Sequence, residues 1–228
     1  DRLNMGGLGD AQFLLQEGGT LGDLYSRRDL RYDENNAIYI DENGNVATET
    51  IQDVNKYVKL GSVLPDVNMS WRNDFRWRNF NCGFMVSARL GGVVFARTQA
   101  MLDQYGVSEV TAAARDAGGV TLNGGDVVDA YTWYSAIAGG NSIPQFYTYS
   151  ATNVRLQEAS IGYTIPRKLL RNVCEITVSI VGRNLWMLYN KAPFDPESIA
   201  TTGNYYQGID YFMMPSLRNV GFNLRLKF

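Results

Sequence analysis

The chain has 228 residues, of which 45% are hydrophobic, 12% aromatic and only 19% charged, with a net charge of -2. This balance leaves no basic footprint for nucleic acid, and no stretch approaches the roughly 18 consecutive apolar residues of a membrane helix. The sequence contains no histidine, which removes the usual general base and the commonest metal ligand. Strands that alternate apolar and polar residues explain both the low charge and the mean hydropathy of -0.21, so the composition favours a β-barrel.

The chain opens at Asp1 without the charged and then apolar stretch of a secretory signal peptide. We therefore expect a mature or excised part of a longer protein. Residues 11–17 form a plausible strand that runs into two glycines. Residues 18–65 are then a long polar stretch, which indicates a long loop before the next strand.

A hairpin turn is predicted at 41–45, inside this polar stretch, because an Asn-Gly pair is the strongest short hairpin signal. The same turn weakly resembles a calcium loop. The oxygens that such a loop would use are those of Asp41, Asn43 and Asn45. However, Val46 stands where a calcium loop needs glycine, and Gln52 where it needs a bidentate glutamate. The hairpin turn is the better interpretation.

Alternation of apolar and polar residues is clearest over 66–77 and 80–90, which are separated by a tight turn at 78–79. Each segment has one apolar and one polar face, as a strand with a period of two requires. Only Asn73 interrupts the apolar faces, which carry Val67, Met69, Trp71, Phe75 and Trp77, and then Phe80, Cys82, Phe84, Val86, Ala88 and Leu90. We predict a long hairpin whose arms have about the 9–11 residues of a tilted transmembrane strand.

Residues 91–151 form a second long excursion with two predicted short helices. The helix at 98–105 is closed by Gly106, since glycine commonly ends a helix. The helix at 108–116 is capped by Ser108 and ends before two glycines.

Three further strands are predicted at 152–165, 175–186 and 217–228. The first changes phase along its length, so we expect a β-bulge near Glu158. The last strand has Val220, Phe222, Leu224, Leu226 and Phe228 on one face, opposite Gly221, Asn223, Arg225 and Lys227. An edge strand of a soluble sandwich would also alternate. The terminal aromatic residue and the cations on the polar face favour a barrel that closes in a membrane.

The connections alternate between long and short. The long ones are 18–65, 91–151 and 187–216, and the short ones are 78–79 and 166–174. Antiparallel strands place all long loops on one side, and bacterial barrels have long extracellular loops and short periplasmic turns. We therefore predict an all-β antiparallel transmembrane barrel whose long extracellular loops contain short helices, with Phe228 at the periplasmic side. Six strands are too few to close even a barrel of roughly eight, so they belong to a larger one.

Groups suited to catalysis are sparse. Asp195 and Glu197 are an acidic pair, and two carboxylates can serve glycoside hydrolysis. The proline between them indicates a role in shaping the loop more readily than a role in catalysis. Cys82 and Cys174 could form a disulfide or remain free. The sequence predicts no enzymatic activity, no cofactor and no metal site.

Several longer motifs resemble one family. They are Leu-Gly-Ser-Val-Leu-Pro-Asp at 60–66, Ala-Arg-Leu-Gly-Gly-Val-Val at 88–94, Thr-Gln-Ala-Met-Leu-Asp at 98–103, Ala-Arg-Asp-Ala-Gly-Gly-Val at 114–120, Gly-Tyr-Thr-Ile-Pro at 162–166, Gly-Arg-Asn-Leu-Trp at 182–186 and Asp-Pro-Glu at 195–197. Together with the aromatic closing strand, they make residues 9–228 resemble the C-terminal portion of a SusC-like (RagA-type) TonB-dependent transporter of Bacteroidetes.

The resemblance implies a barrel of about 22 strands with an N-terminal plug in its lumen. It also implies a SusD-like surface lipoprotein over the extracellular loops, coupling to the TonB complex, and import of oligosaccharides or peptides across the Gram-negative outer membrane. This chain lacks the plug and most of the strands. We therefore expect it to supply about the last six strands, without independent transport.

Two aromatic clusters lie in the long loops and have two interpretations. They either pack the loops and hold the lipoprotein, or stack on a sugar or peptide, where aromatic faces supply contact area and hydroxyls supply specificity. The residues predicted to bind substrate are Trp133, Tyr134, Tyr147, Tyr149, Tyr205 and Tyr206.

Two other functions remain open at this stage. The chain could be a surface β-protein that captures glycan without transport, or a fragment of a soluble β-sandwich hydrolase. Both would fold in water as isolated domains, against which an exposed lipid-facing band argues.

Overall fold

The computed structural model describes residues 1–200, 203 and 206–228. They fold into two compact units. The first comprises residues 1–64, 92–150 and 198–213, and the second residues 65–91, 151–197 and 214–228.

The strands of these residues are β1 (Leu3–Leu8), β2 (Ala11–Leu15), β3 (Asp23–Ser26), β4 (Arg28–Leu30), β5 (Thr48–Thr50), β6 (Val58–Ser62), β7 (Val67–Trp77), β8 (Phe80–Leu90), β9 (Val93–Ala96), β10 (Val120–Thr121), β11 (Val127–Val128), β12 (Thr148–Ser150), β13 (Asn153–Ile165), β14 (Glu175–Asn190), β15 (Ile209–Asp210) and β16 (Asn219–Lys227). The α-helices are α1 (Arg97–Gln104), α2 (Glu109–Asp116) and α3 (Ala130–Ile137), and short 3-10 turns lie at Val54–Lys56, Pro144–Tyr147 and Arg167–Leu170.

The second unit is built on one antiparallel sheet in the order β16-β14-β13-β8-β7. Five predicted strands lie in it: 66–77 as β7, 80–90 as β8, 152–165 as β13, 175–186 as β14 and 217–228 as β16. β14 continues past 186 because Asn190 pairs with Asn153 at the start of β13. The strands have 11, 11, 13, 16 and 9 residues in chain order, enough for tilted membrane crossings of about 9–11 residues.

Apolar side chains continue across these strands on one face of the sheet. Ile161 lies opposite Cys82 on β8 and Ile180 on β14, and Ile180 lies opposite Phe222 on β16. The face is largely exposed within the chain: Trp71 is 63% exposed, Ile180 54% and Phe222 68%. Exposed apolar surface of this extent marks contact with lipid or with another protein.

A β-bulge at Gln157 keeps the two faces of β13 in phase. The pairing register shifts between Leu156 and Glu158 against both β8 and β14. Val154 and Leu156 are out of phase with Ala159 in sequence, and the extra residue brings them back to the same face. The bulge predicted near Glu158 is confirmed.

The first unit contains the sheets β1-β2-β3-β6 and β12-β9-β15 and the small pairs β4–β5 and β10–β11. All strand pairs in the described residues are antiparallel except β15 with β9. The strand predicted at 11–17 lies at Ala11–Leu15 and pairs with β1 and β3, so it belongs to this unit and not to the five-stranded sheet.

The stretch 18–65 is not simply a loop, which corrects the sequence interpretation. It contains β3 to β6, and all four residues of β3 are buried. A strand buried on both faces shows no alternation, and here two of its four residues are polar. Asp23 is stabilised by Lys59, whose Nζ lies 2.6 Å from the Asp23 carboxylate. The hairpin turn predicted at 41–45 is present, since Ile40 and Val46 form an antiparallel bridge.

The core of the first unit joins its sheets to its helices. Its fully or nearly fully buried side chains include Phe13, Leu24, Val63, Phe95, Ala100, Ile137, Ile143, Tyr147 and Ile209. The first unit therefore has a hydrophobic core of its own, unlike the exposed apolar sheet of the second.

Helices α1 and α2 lie where the sequence predicts helices, at 98–105 and 108–116. The Ser108 hydroxyl caps α2 by accepting a hydrogen bond from the Thr111 amide. Helix α3 was not predicted. No helix in the described residues is long and apolar enough to cross a membrane.

Candidate functional site

The polar face of the five-stranded sheet forms a concavity of about 560 Å³. Small and charged side chains of all five strands line it, including Arg72, Asp74, Arg76, Asn81, Glu158, Ser160, Thr177, Ser179, Asn223 and Arg225. The same alternation that makes one face apolar thus makes the other a hydrated, charged wall.

Ion pairs connect three strands across this concavity. Arg72 on β7 lies 2.9 Å from Asp74 and 3.6 Å from Glu158 on β13. Glu158 also lies 3.2 Å from Arg183 on β14. Exposed pairs such as these contribute little stability each, about 0–1 kcal/mol. Their effect is to present alternating charge on a surface that water can reach.

A buried ionic cluster centres on Arg155, whose side chain is 3% exposed. Its guanidinium lies 2.9 Å from Asp195 and 3.2 Å from Glu197, and it also donates to Asn184 and Ser216. The acidic pair considered for glycoside hydrolysis therefore forms part of an ion-pair cluster with Arg155.

The Asp195 carboxyl has a pKa below its ordinary value. Burial raises this pKa, but hydrogen bonds from the Ser216 hydroxyl, from the Glu197 amide and from Arg155 lower it further than burial raises it. Asp195 is thus held as a carboxylate that joins the loop after β14 to the segment before β16.

The predicted substrate-binding aromatics lie in different environments. Trp133 is half-buried and packs edge-on against Phe146 at 5.7 Å between ring centroids, whereas Tyr206 is 45% exposed. Tyr134 and Tyr147 are buried at 8% and 2% exposed. Tyr205 lies outside the described residues. The burial of Tyr147 favours the packing interpretation for that residue, and the binding interpretation of the set remains a prediction.

Asp103 on α1 is hydrogen-bonded to one of these tyrosines and acts electrostatically on two others. Its carboxylate accepts a hydrogen bond of 2.9 Å from the Tyr147 hydroxyl. Burial raises the pKa of Tyr134, Tyr147 and Tyr149, and the negative charge of Asp103 raises each of them further. Sequence reasoning missed Asp103, because nothing local links it to a tyrosine 44 residues away.

A cleft of about 440 Å³ opens beside this cluster, between α1, α2 and α3. Its lining residues are Asp103, Gln104, Tyr105, Gly106, Thr111, Arg115, Ala130, Tyr131 and Tyr134. Tyr134 is the one predicted site residue among them. The cleft has the volume of a small-ligand site, and its walls combine aromatic rings with polar groups.

Metal and disulfide chemistry find no support in residues 1–200, 203 and 206–228. No group of three or more histidine, cysteine, aspartate or glutamate side chains there could hold a metal ion. Both Cys82 and Cys174 are free thiols.

Comparison with known proteins gives one match by sequence and several by fold. No family model matches the chain. The chain is 28% identical over 176 residues to TonB-dependent receptor P3 of Formosa agariphila, an alignment that covers 74% of this chain and 17% of that protein. The resemblance to TonB-dependent receptors is confirmed.

Solved structures extend the similarity in fold. The RagAB peptide importer in the closed-closed state superposes with a TM-score of 0.58 at 14% identity, over 96% of this chain and 26% of that one. The same importer in the open-open state gives 0.59 at 13% identity, over 100% and 28%. The structure of the RagAB peptide transporter gives 0.60 at 15% identity, over 96% and 26%.

The chain spans only a small part of these relatives. It covers 17% of the TonB-dependent receptor from Formosa agariphila and about a quarter of the RagAB chains. The similarity therefore concerns the strands and loops that this chain contains.

Proposed function

We propose that the chain forms part of the barrel of an outer-membrane, TonB-dependent importer of oligosaccharides or peptides. The observation that carries this proposal is the sheet of the second unit, which is apolar and exposed on one face and charged on the other. A lipid-facing barrel wall with a hydrated lumen needs that division. The likeness to a TonB-dependent receptor supports the same function.

The complete barrel would be larger than this chain and would hold a plug. About 22 strands are expected in a protein of this kind. The long loops would be extracellular, with Phe228 at the periplasmic side. Lipid would cover the apolar face, which otherwise exposes Trp71 and Phe222 to water.

The importer would act with two protein partners and without catalysis. A SusD-like surface lipoprotein would close over the extracellular loops, and the TonB complex would supply energy through the part of the protein that precedes these strands. The name of the RagAB peptide importer supports a peptide as one of the two substrate classes.

Uptake in the native host tests this function. Strains with and without the full-length gene are given defined oligosaccharides or defined peptides, and the substrate taken up is measured by mass spectrometry. We expect uptake of one class to require both this gene and the TonB gene. A control strain lacking an unrelated TonB-dependent receptor should import at the wild-type rate.

Two results would contradict the proposal. Uptake that is independent of TonB would contradict energy-coupled import. Retention of glycan at the cell surface without uptake would instead support a surface glycan-binding protein.

A further inference from the structure

The cleft between α1, α2 and α3 of the first unit has a buried carboxylate among its lining residues. Asp103 is only 4% exposed. Its carboxylate oxygens accept hydrogen bonds from the side-chain Nε2 of Gln99 at 2.7 Å and from the Tyr147 hydroxyl at 2.9 Å. Both donors are neutral, and no ion pair in the described part of the chain involves Asp103.

A buried carboxylate without a cationic partner is energetically unfavourable, even with two hydrogen bonds. Its negative charge also reaches the neighbouring side chains, because it raises the pKa of Tyr134, Tyr147 and Tyr149 beyond the effect of burial alone. The cleft is therefore adjacent to a buried carboxylate whose two hydrogen-bond donors are both neutral.

Tyrosines also line this cleft. Tyr105 is 72% exposed and Tyr131 is 75% exposed, while Tyr134 is buried in the wall. The face of an aromatic ring attracts ammonium and guanidinium groups. The lining of the cleft thus combines two kinds of group that attract cations, exposed aromatic rings and a buried carboxylate.

Among the residues that the structure describes, Arg115 is the one cation in the lining of the cleft. It is exposed and forms no ion pair with Asp103. A neutral sugar could stack on the tyrosines, but it would leave Asp103 without an ionic partner. A ligand that carries its own cation supplies that partner.

We propose that this cleft binds the cationic side chain of a peptide, the ammonium of lysine or the guanidinium of arginine. The inference rests on the proposed import function and narrows its substrate to peptides that contain a basic residue. Asp103 would supply the countercharge, and Tyr105 and Tyr131 would cover the aliphatic stem and the cationic head.

Binding to the full-length protein, purified in detergent with its lipoprotein partner, tests this proposal without requiring transport. The probe is an equimolar library of N-acetylated, C-amidated hexapeptides that differ only in whether one position holds lysine, arginine, norleucine or glutamine. Retained peptides are quantified by mass spectrometry. We expect lysine and arginine peptides to be enriched about tenfold over the norleucine peptides, the effect of one charge-assisted contact.

Three variants test whether the enrichment of cationic peptides depends on the cleft. Asp103→Asn keeps the shape of the side chain and should abolish the preference for cations. Tyr131→Ala changes an exposed residue that the core does not need, and should reduce the preference by roughly two- to fivefold. Asp116→Asn neutralises an exposed carboxylate on α2 outside the cleft and should leave the preference unchanged.

Either of two results would overturn the proposal. The first is that the wild-type protein retains neutral and cationic peptides equally. The second is that the Asp103→Asn and Tyr131→Ala variants both keep the wild-type preference for cationic peptides. Import itself is judged separately by TonB-dependent uptake. A protein that imports substrates without preferring cationic peptides would refute cation binding in the cleft and would leave the proposed import function unaffected.

Discussion

Arg155 shows how one residue can organise two connecting segments. It lies on β13 of the second unit, yet its partners Asp195 and Ser216 belong to segments that follow β14 and precede β16. A buried guanidinium is tolerated because it has carboxylate and hydroxyl partners around it. Removing one partner of such a group leaves a buried charge unpaired, so the cluster responds strongly to single substitutions.

Acidification should destabilise the Arg155 cluster, because Asp195 becomes protonated. The folded state lowers the pKa of Asp195 from an ordinary value of 3.8, so its stabilising contribution is present above that value and is lost as the pH falls through the lower folded pKa. We expect hydrogen exchange of residues 214–218, corrected for intrinsic rates, to accelerate below about pH 4.

The Asp195→Asn variant removes the titrating group. It should destabilise residues 214–218 by about 1.5–3 kcal/mol at neutral pH, which is the contribution of a hydrogen bond to a charged group. Their hydrogen exchange should then depend little on acid pH. Asp126→Asn, which changes an exposed carboxylate of the first unit, is the control and should behave as wild type. An acid dependence that persists in Asp195→Asn would assign the effect to another group.

The elements differ in how well their sequences reveal them. The strands of the second unit alternate because each has one apolar and one hydrated face, so their positions can be read from a period of two. The four residues of β3 are all buried, and a strand covered on both sides has no such period. Helix α3 has no clearly polar exposed face, since Tyr131 is 75% exposed while Ala130, Tyr134 and Ile137 are buried.

The candidate site could be read from the sequence only in part. The aromatic residues stand out by composition, which singles out Tyr134 and Tyr147. Their convergence on Asp103 depends on packing between segments far apart in the chain, and a single sequence carries no local signal for it. The Arg155 cluster was missed for the same reason, since Asp195 lies 40 residues away.

Capping of α2 gives a prediction at the scale of one element. The Ser108→Ala variant removes the hydroxyl that accepts a hydrogen bond from the Thr111 amide at 3.3 Å. We expect it to destabilise the helix by about 1 kcal/mol, seen as faster hydrogen exchange of the amides in Glu109–Asp116. Ser108→Asp supplies another acceptor and should exchange at close to the wild-type rate. Equal acceleration in both variants would mean that the cap contributes nothing.

At the scale of the whole molecule, the two units differ in whether their apolar side chains are buried within the unit. The first buries residues such as Phe13 and Phe95 in a core of its own. The second leaves Trp71, Ile180 and Phe222 exposed on a sheet whose opposite face is charged. Such a sheet is stable only where lipid or more protein covers its apolar side.

A pair of adjacent substitutions on β14 distinguishes the two faces. Ile180 is 54% exposed on the apolar face, whereas Ser179 lines the polar concavity. In the full-length protein, Ile180→Arg should cost about 2–4 kcal/mol if this position lies near the bilayer midplane, because an arginine there loses its hydration. We expect far less folded, heat-modifiable protein in outer membranes for this variant on semi-native gels. Ser179→Arg adds the same charge one residue away, to the hydrated face, and should accumulate at the wild-type level. Equal amounts of the two folded variants would mean that the apolar face does not contact lipid, and another protein would then have to cover it.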